Sequence, residues 1–212
     1  MVDYKNKSLK ELLAFEIAQI DDIDIRDFVN ETLEVVEPCH AWKPASSTGK
    51  YHPKFASGEG GLIRHIKVVT RNIIELIRAT SAVENEKDEL IAAAILHDMW
   101  KYPKDRDHEF TAFDHPALGG DYCKSHGQET IGRLIAAHQG IWVTSKVLPG
   151  HVNEAPKKFD EWLCHYADLL ASRPYYSCNF DENGELILDW MREEQQKKTQ
   201  RTIIHDSKQE EK

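Results

Sequence analysis

The chain has 212 residues, 41% hydrophobic and 30% charged, with a formal net charge of -9 at pH 7. That length supports one sizeable core, and the acidic balance argues against a broad grip on nucleic acid while leaving small anions open, since a bound cation can reverse the local field. No stretch approaches the roughly 20 apolar residues of a membrane-spanning helix, and the opening MVDYKNKSLKELL lacks the charged-then-apolar order of a secretion signal, so a cytoplasmic protein is expected.

Cys39, Cys123, Cys164 and Cys178 form no C-x-x-C pair and are expected to be reduced thiols. Ser8 with Glu11 reads as a capping box, and Leu9, Leu12, Leu13, Glu16, Ile17 and Ile20 give the stripe of a first helix. A second helix is predicted from Asp24 to Glu37, stopped by Pro38, followed by a long loop rich in Pro, Ser and Gly to Gly61. Loops of that length are usually functional or disordered. Leu62, Ile66, Val69, Ile73, Leu76 and Ile77 recur at helical spacing, and DELIAAAILHDMW, residues 88–100, is apolar nearly all round, as a central helix must be. Further helices are predicted from Pro116 to His126, Glu129 to His138 and Pro156 to Ser172. Asn183-Gly184 between two short apolar runs predicts a hairpin. These elements make an all-α bundle over residues 1–190 with a small C-terminal β-hairpin, followed by a charged tail at 191–212.

The chain carries 11 histidines, and their positions decide which of them matter. His97-Asp98 lies in the most apolar helix, where a carboxylate costs several kcal/mol unless compensated. A metal ion is the simplest compensation. Lys101, three residues on, faces whatever the metal binds, although a helix-end charge is a competing reading. His65 in GGLIRHIKVV and Asp168 in LCHYADLLASR sit on other predicted helices with the same difficulty. Imidazole and carboxylate without thiolate suit manganese, iron, cobalt, nickel, magnesium or zinc. STGKY at 47–51 lacks the earlier glycine of a phosphate loop, and that reading is rejected.

His65, His97-Asp98 and Asp168, in that order, resemble the H, HD and D signature of the HD superfamily of metal-dependent phosphohydrolases. The resemblance covers about residues 51–173, and it implies a helical bundle with a buried metal site. HDMWK and HPALGG are similar to the H-D-x-G-K and H-P-x-x-G boxes of HD-GYP-type members, which adds His115 and His138 as ligands of a second ion, with Asp98 bridging the pair. Gln139, Trp100 and the missing G-Y-P signature depart from those members and argue against cyclic-di-GMP hydrolysis. The G-G-L-x-x-H start and H-Y-A-D end also resemble the HD domain of bacterial 3′-to-5′ exoribonucleases.

The expected activity is hydrolysis of a phosphate ester, of a nucleotide for choice, by metal-activated water, with one or two divalent ions. Asp98 and Lys101 carry catalysis, and Lys101, Arg173 and His52 contact the substrate. The bland readings place His115 and His138 at helix ends, Arg173 as a helix-terminal charge and His52 on the surface. His165, one turn before Asp168, supports the ligands, while His40, His108, His126, His151 and His205 are assigned to the surface. The alternatives are a 3′-to-5′ exonuclease on RNA or single-stranded DNA, with Trp42, Tyr51, Trp100 and Trp142 as stacking aromatics, and a non-catalytic nucleotide sensor. A homodimer is a further expectation.

Overall fold

A computed structural model of the protein describes residues 2–50, 52–80, 83–105, 109–140 and 154–187. The charged tail at 191–212, most of the loop from Gly140 to Pro156, Tyr51, Trp142, His108, His151 and His205 lie outside the described residues. Asp3–Ser177 forms one compact unit that holds the helices, and the hairpin belongs to another.

The predicted first helix is two short ones, α1 (Leu9–Leu12) and α2 (Ala14–Ile17), separated at Leu13 with φ -113°. The capping box starts α1, with Ser8 Oγ accepting from the Glu11 amide at 3.2 Å and Glu11 Oε2 accepting from the Ser8 amide at 2.8 Å. The break leaves Phe15 exposed and Glu16 buried, 3.3 Å from the equally buried Lys67 ammonium. A buried carboxylate requires such a partner, which a straight amphipathic reading does not foresee. Asp22 accepts from the amides of Asp24 and Ile25 to start α3 (Ile23–Val35), and the extended Val36 and Glu37 ahead of Pro38 end it. The loop that follows contains two 3₁₀ turns, Pro38–Ala41 and Lys54–Ala56.

The core is built on α4 (Gly61–Ala79) and α5 (Lys87–Leu96). Leu90 to Leu96 are all buried, as an apolar central helix demands. The helix ends four residues earlier than the sequence predicts: His97 is its C-cap, and a turn carries the chain on, with the Met99 amide on Leu96 O and the Lys101 amide on Asp98 O. Helices α7 (Glu129–Ala137) and α8 (Phe159–Ala171) pack on this pair, and α6 (His115–Ser125) packs on α7. Pro116 occupies the first turn of α6, as expected. Helix α8 starts at Phe159 rather than Pro156, because Glu161 reaches back to accept from the amides of Lys157 and Lys158. Arg133 of α7 grips Asp160 at 2.6 Å and Glu161 at 2.7 Å on α8.

Helices α6 and α7 meet at glycines. A Cβ on Gly132 would stand 2.6 Å from Gly120 O, and one on Gly120 2.8 Å from Gly132 O. Backbone cannot yield as a side chain can, so Gly132→Ala is expected to cost about 1–3 kcal/mol by overpacking, partly offset by the ~1 kcal/mol that alanine gains in a helix. Urea denaturation reads the net loss directly, and a midpoint that rises contradicts this packing. In the other unit, β1 (Asn179–Phe180) and β2 (Leu186–Ile187) pair antiparallel around Gly184, at φ +79°. Asp181 Oδ1 accepts from the amides of Asn183 and Glu185 inside the turn, which realises the predicted hairpin.

Among the described residues no helix is long and apolar enough to cross a membrane.

Candidate metal centre

Four histidines and two aspartates converge where α4, the end of α5, the start of α6, the end of α7 and α8 meet. His65 Nε2 lies 3.0 Å from Asp168 Oδ1 and 3.5 Å from Asp98 Oδ2, and His97 Nε2 lies 3.2 Å from the same Asp98 oxygen. The other Asp98 oxygen, Oδ1, lies 3.1 Å from His115 Nε2 and 3.7 Å from His138 Nε2. Asp98 thus stands between two groups, His65-His97-Asp98 and Asp98-His115-His138, each close enough to hold an ion.

The way the rings are held gives each its direction. His97 Nδ1 donates to Ala94 O at 2.7 Å, His115 Nδ1 to Ala112 O at 2.6 Å and His138 Nδ1 to Ile135 O at 2.8 Å. Two of these acceptors, Ala94 O and Ile135 O, lie in the last turns of α5 and α7, and Ile135 O also accepts from the His138 amide at 3.3 Å. A neutral ring that gives away its Nδ1–H has only a lone pair on Nε2, the form in which histidine ligates metals. The tautomer follows from the carbonyl partner. Yet the Nε2 atoms of His115 and His138 are 3.2 Å apart, and those of His97 and His65 3.3 Å apart. Lone pairs so crowded against each other and against carboxylate oxygens repel unless positive charge stands among them. Neither Asp98 oxygen receives a well-directed hydrogen bond among the described residues, and both are buried. The donor set therefore fits divalent cations.

The titration tendencies carry the same message. Burial pushes His138 down to about 3, helped by the charges of His97 and His115, and burial also lowers His65. Burial opposes a proton on His97, but the adjacent Asp98 outweighs it and raises this group. Burial likewise opposes ionisation of Asp98, and His97 with Lys101 overcome it, holding the carboxyl well below its ordinary 3.8.

Lys101 is buried, with its ammonium 2.5 Å from Asp98 Oδ2 and 3.0 Å from Ala45 O, so it both reaches the centre and pins the long loop. The Tyr102 hydroxyl donates to the next carbonyl back, Pro44 O, at 2.9 Å. The aspartates differ in access: the Asp168 side chain is 19% exposed and that of Asp98 1%, so the centre opens on the Asp168 side. At that edge Ser172 Oγ donates to Asp168 Oδ1 at 3.2 Å and lies 3.5 Å from His52 Nε2. His52 is part-buried beside the His65 ring and is driven down to about 3 by burial, then by Lys101 and His65. The structure thus brings His52 to the centre. Arg173 instead donates from Nε to Leu169 O at 3.0 Å, the posture of a helix-terminal charge.

Several roles escape the sequence. Ser172 follows Asp168 at i+4, a spacing that could have revealed it. His40, assigned to the surface, is fully buried: its Nδ1 meets Glu37 O at 2.6 Å, and its Nε2 accepts from the Tyr102 amide at 3.4 Å. It braces the turn that carries Asp98 and Lys101. Trp100, a suggested stacking platform, is packed against Tyr122 with ring centroids 5.1 Å apart.

A family model of the HD domain matches residues 62–204. The chain belongs to the HD domain family. That match takes in His65, His97, Asp98, His115, His138 and Asp168, and it bears out the resemblance drawn from their order. This HD chain is also similar to dihydroneopterin 2′,3′-cyclic phosphate phosphodiesterase of Methanocaldococcus jannaschii, at 26% identity over 175 residues. The aligned part covers 73% of this chain and 66% of the relative's own length. No solved structure matches this chain.

Proposed function

We propose that this HD-family chain is a metal-dependent phosphohydrolase acting on the phosphate ester of a small nucleotide-like molecule. The observation that carries the reading is the crowding of Nε2 lone pairs around a buried carboxylate whose oxygens lack well-directed hydrogen bonds. In this reading His65, His97, Asp98 and Asp168 would hold one divalent ion, and Asp98, His115 and His138 would hold a second. Bound there, a divalent cation supplies a Lewis acid for a phosphoryl oxygen and acidifies nearby water.

The chain's own groups divide the remaining work. Lys101 holds positive charge where the phosphoryl oxygens gather negative charge in the transition state. His52 is neutral at pH 7; with Nε2 turned to Ser172, its buried Nδ1 has no partner among the described residues and is left to accept a hydrogen bond from the substrate. Arg173 serves as an outer phosphate contact once it releases Leu169 O. The M. jannaschii relative makes cyclic phosphodiesters on a vicinal diol the first substrates to try.

The experiment is a hydrolysis screen with the chain loaded in turn with manganese, cobalt, nickel, iron, magnesium and zinc. The substrates are 2′,3′-cyclic nucleotides, nucleoside mono- and triphosphates and short oligonucleotides. Turnover of a small phosphate ester is expected with at least one metal. Cleavage confined to oligonucleotide 3′ ends would move the reading to the exonuclease, and tight binding of an intact nucleotide under every metal would move it to the sensor.

A further inference from the structure

We propose that His165 is a positioning residue for the half of the centre formed by Asp98, His115 and His138, so that helix α8 serves both halves at once. This rests on the metal-site reading above. Helix α8 presents Asp168 to the first half, and one turn earlier it presents His165, which is 3% exposed. The Nδ1–H of His165 donates to the backbone carbonyl of His138 at 2.9 Å.

His138 is the C-cap of α7, where the helical ladder runs out and the peptide is free to turn unless something holds it. The bond from α8 fixes that peptide from one side, while the ring's own Nδ1 is held on Ile135 O at 2.8 Å from the other. With both fixed, the lone pair of His138 Nε2 stays directed toward Asp98. Outer contacts of this kind are what orient a metal-binding ring.

Gly140 shows how closely the chain is fitted to His165. It has φ +59°, and a Cβ there would fall 2.2 Å from Cε1 and 2.3 Å from Nδ1 of the His165 ring. The backbone just beyond His138 therefore lies on that imidazole, and a side chain at 140 would displace it. On another side Trp162 meets His165 edge-on, with centroids 5.7 Å apart. A filler chosen for volume alone needs no hydrogen-bond donor, whereas this ring spends its Nδ1–H on the one peptide that follows α7.

The test titrates Mn²⁺ into the metal-stripped full chain by calorimetry, with electron paramagnetic resonance on the bound ions and circular dichroism on the fold. The first half offers four ligands and the second three, so the second binds the weaker ion. Wild type is expected to take up two ions with a spin-coupled spectrum. His165→Phe should weaken the second ion by about 10–100-fold, leave the first within about threefold, and give the spectrum of an isolated ion. His165→Asn, whose amide N–H can replace Nδ1–H, should restore the coupled spectrum, and Gly140→Ala should behave as His165→Phe does. A folded His165→Phe chain that binds both ions as wild type does, or loses both equally, overturns the proposal, as does His165→Asn behaving like His165→Phe. Wild type that takes up no Mn²⁺, Co²⁺ or Zn²⁺ overturns the metal-site reading itself and is distinguished by needing no variant.

Discussion

Asp98→Ala is expected to remove metal binding and lower turnover by about 10³-fold or more. Several kcal/mol of transition-state stabilisation come from a bound metal, and each ~1.4 kcal/mol is tenfold in rate. Among the described residues Asp98 alone is common to the two halves: Oδ2 faces His65 and His97, and Oδ1 faces His115 and His138. The bundle should remain folded. The lost carboxylate is itself buried without well-directed hydrogen bonds, and Lys101 keeps its bond to Ala45 O. Steady-state kinetics on the metal-reconstituted variant, beside its circular dichroism, checks both halves of the statement. Retained turnover sinks the assignment of Asp98.

Lys101→Met is the variant with the next largest effect, a fall in kcat of about 10²–10³-fold, the scale seen on removing one preorganised charge-stabilising donor. Metal content should persist, because Lys101 is not a ligand and the histidines are held by their own carbonyls. Methionine keeps the length of the stem in a buried slot. The substitution also removes an anchor of the loop at Ala45, so a second variant separates the two roles. Tyr102→Phe cuts the neighbouring anchor on Pro44 O and leaves the ammonium in place. If Lys101 acts on the phosphoryl group, Tyr102→Phe retains most of kcat. Equal losses in the two variants assign Lys101 to the loop alone.

What the sequence reveals follows from how local each signal is. The apolar run of α5 forces a central helix, and an ionisable pair at its end demands a cation or an ion pair, so His97 and Asp98 are legible from a few neighbouring letters. His115 and His138, whose helix-end positions cast doubt on them, each find a backbone carbonyl three residues back within reach of Nδ1, Ala112 O and Ile135 O. The break at Leu13 is hidden because Glu16 answers to Lys67, 51 residues away. His40 fails for the same reason, since its partner is the Tyr102 amide across the core. His165 could be placed near the centre by its spacing from Asp168, but its bond to His138 depends on how α7 and α8 pack. Local periodicity carries no record of that packing.

Elemental analysis of gently purified wild-type chain tests the central claim most directly, because both halves of the centre are read as cation sites. About two transition-metal ions per chain are expected, held by His65, His97, Asp98 and Asp168 in one half and by Asp98, His115 and His138 in the other. A chain that carries no metal, even after reconstitution with each candidate ion, contradicts the account.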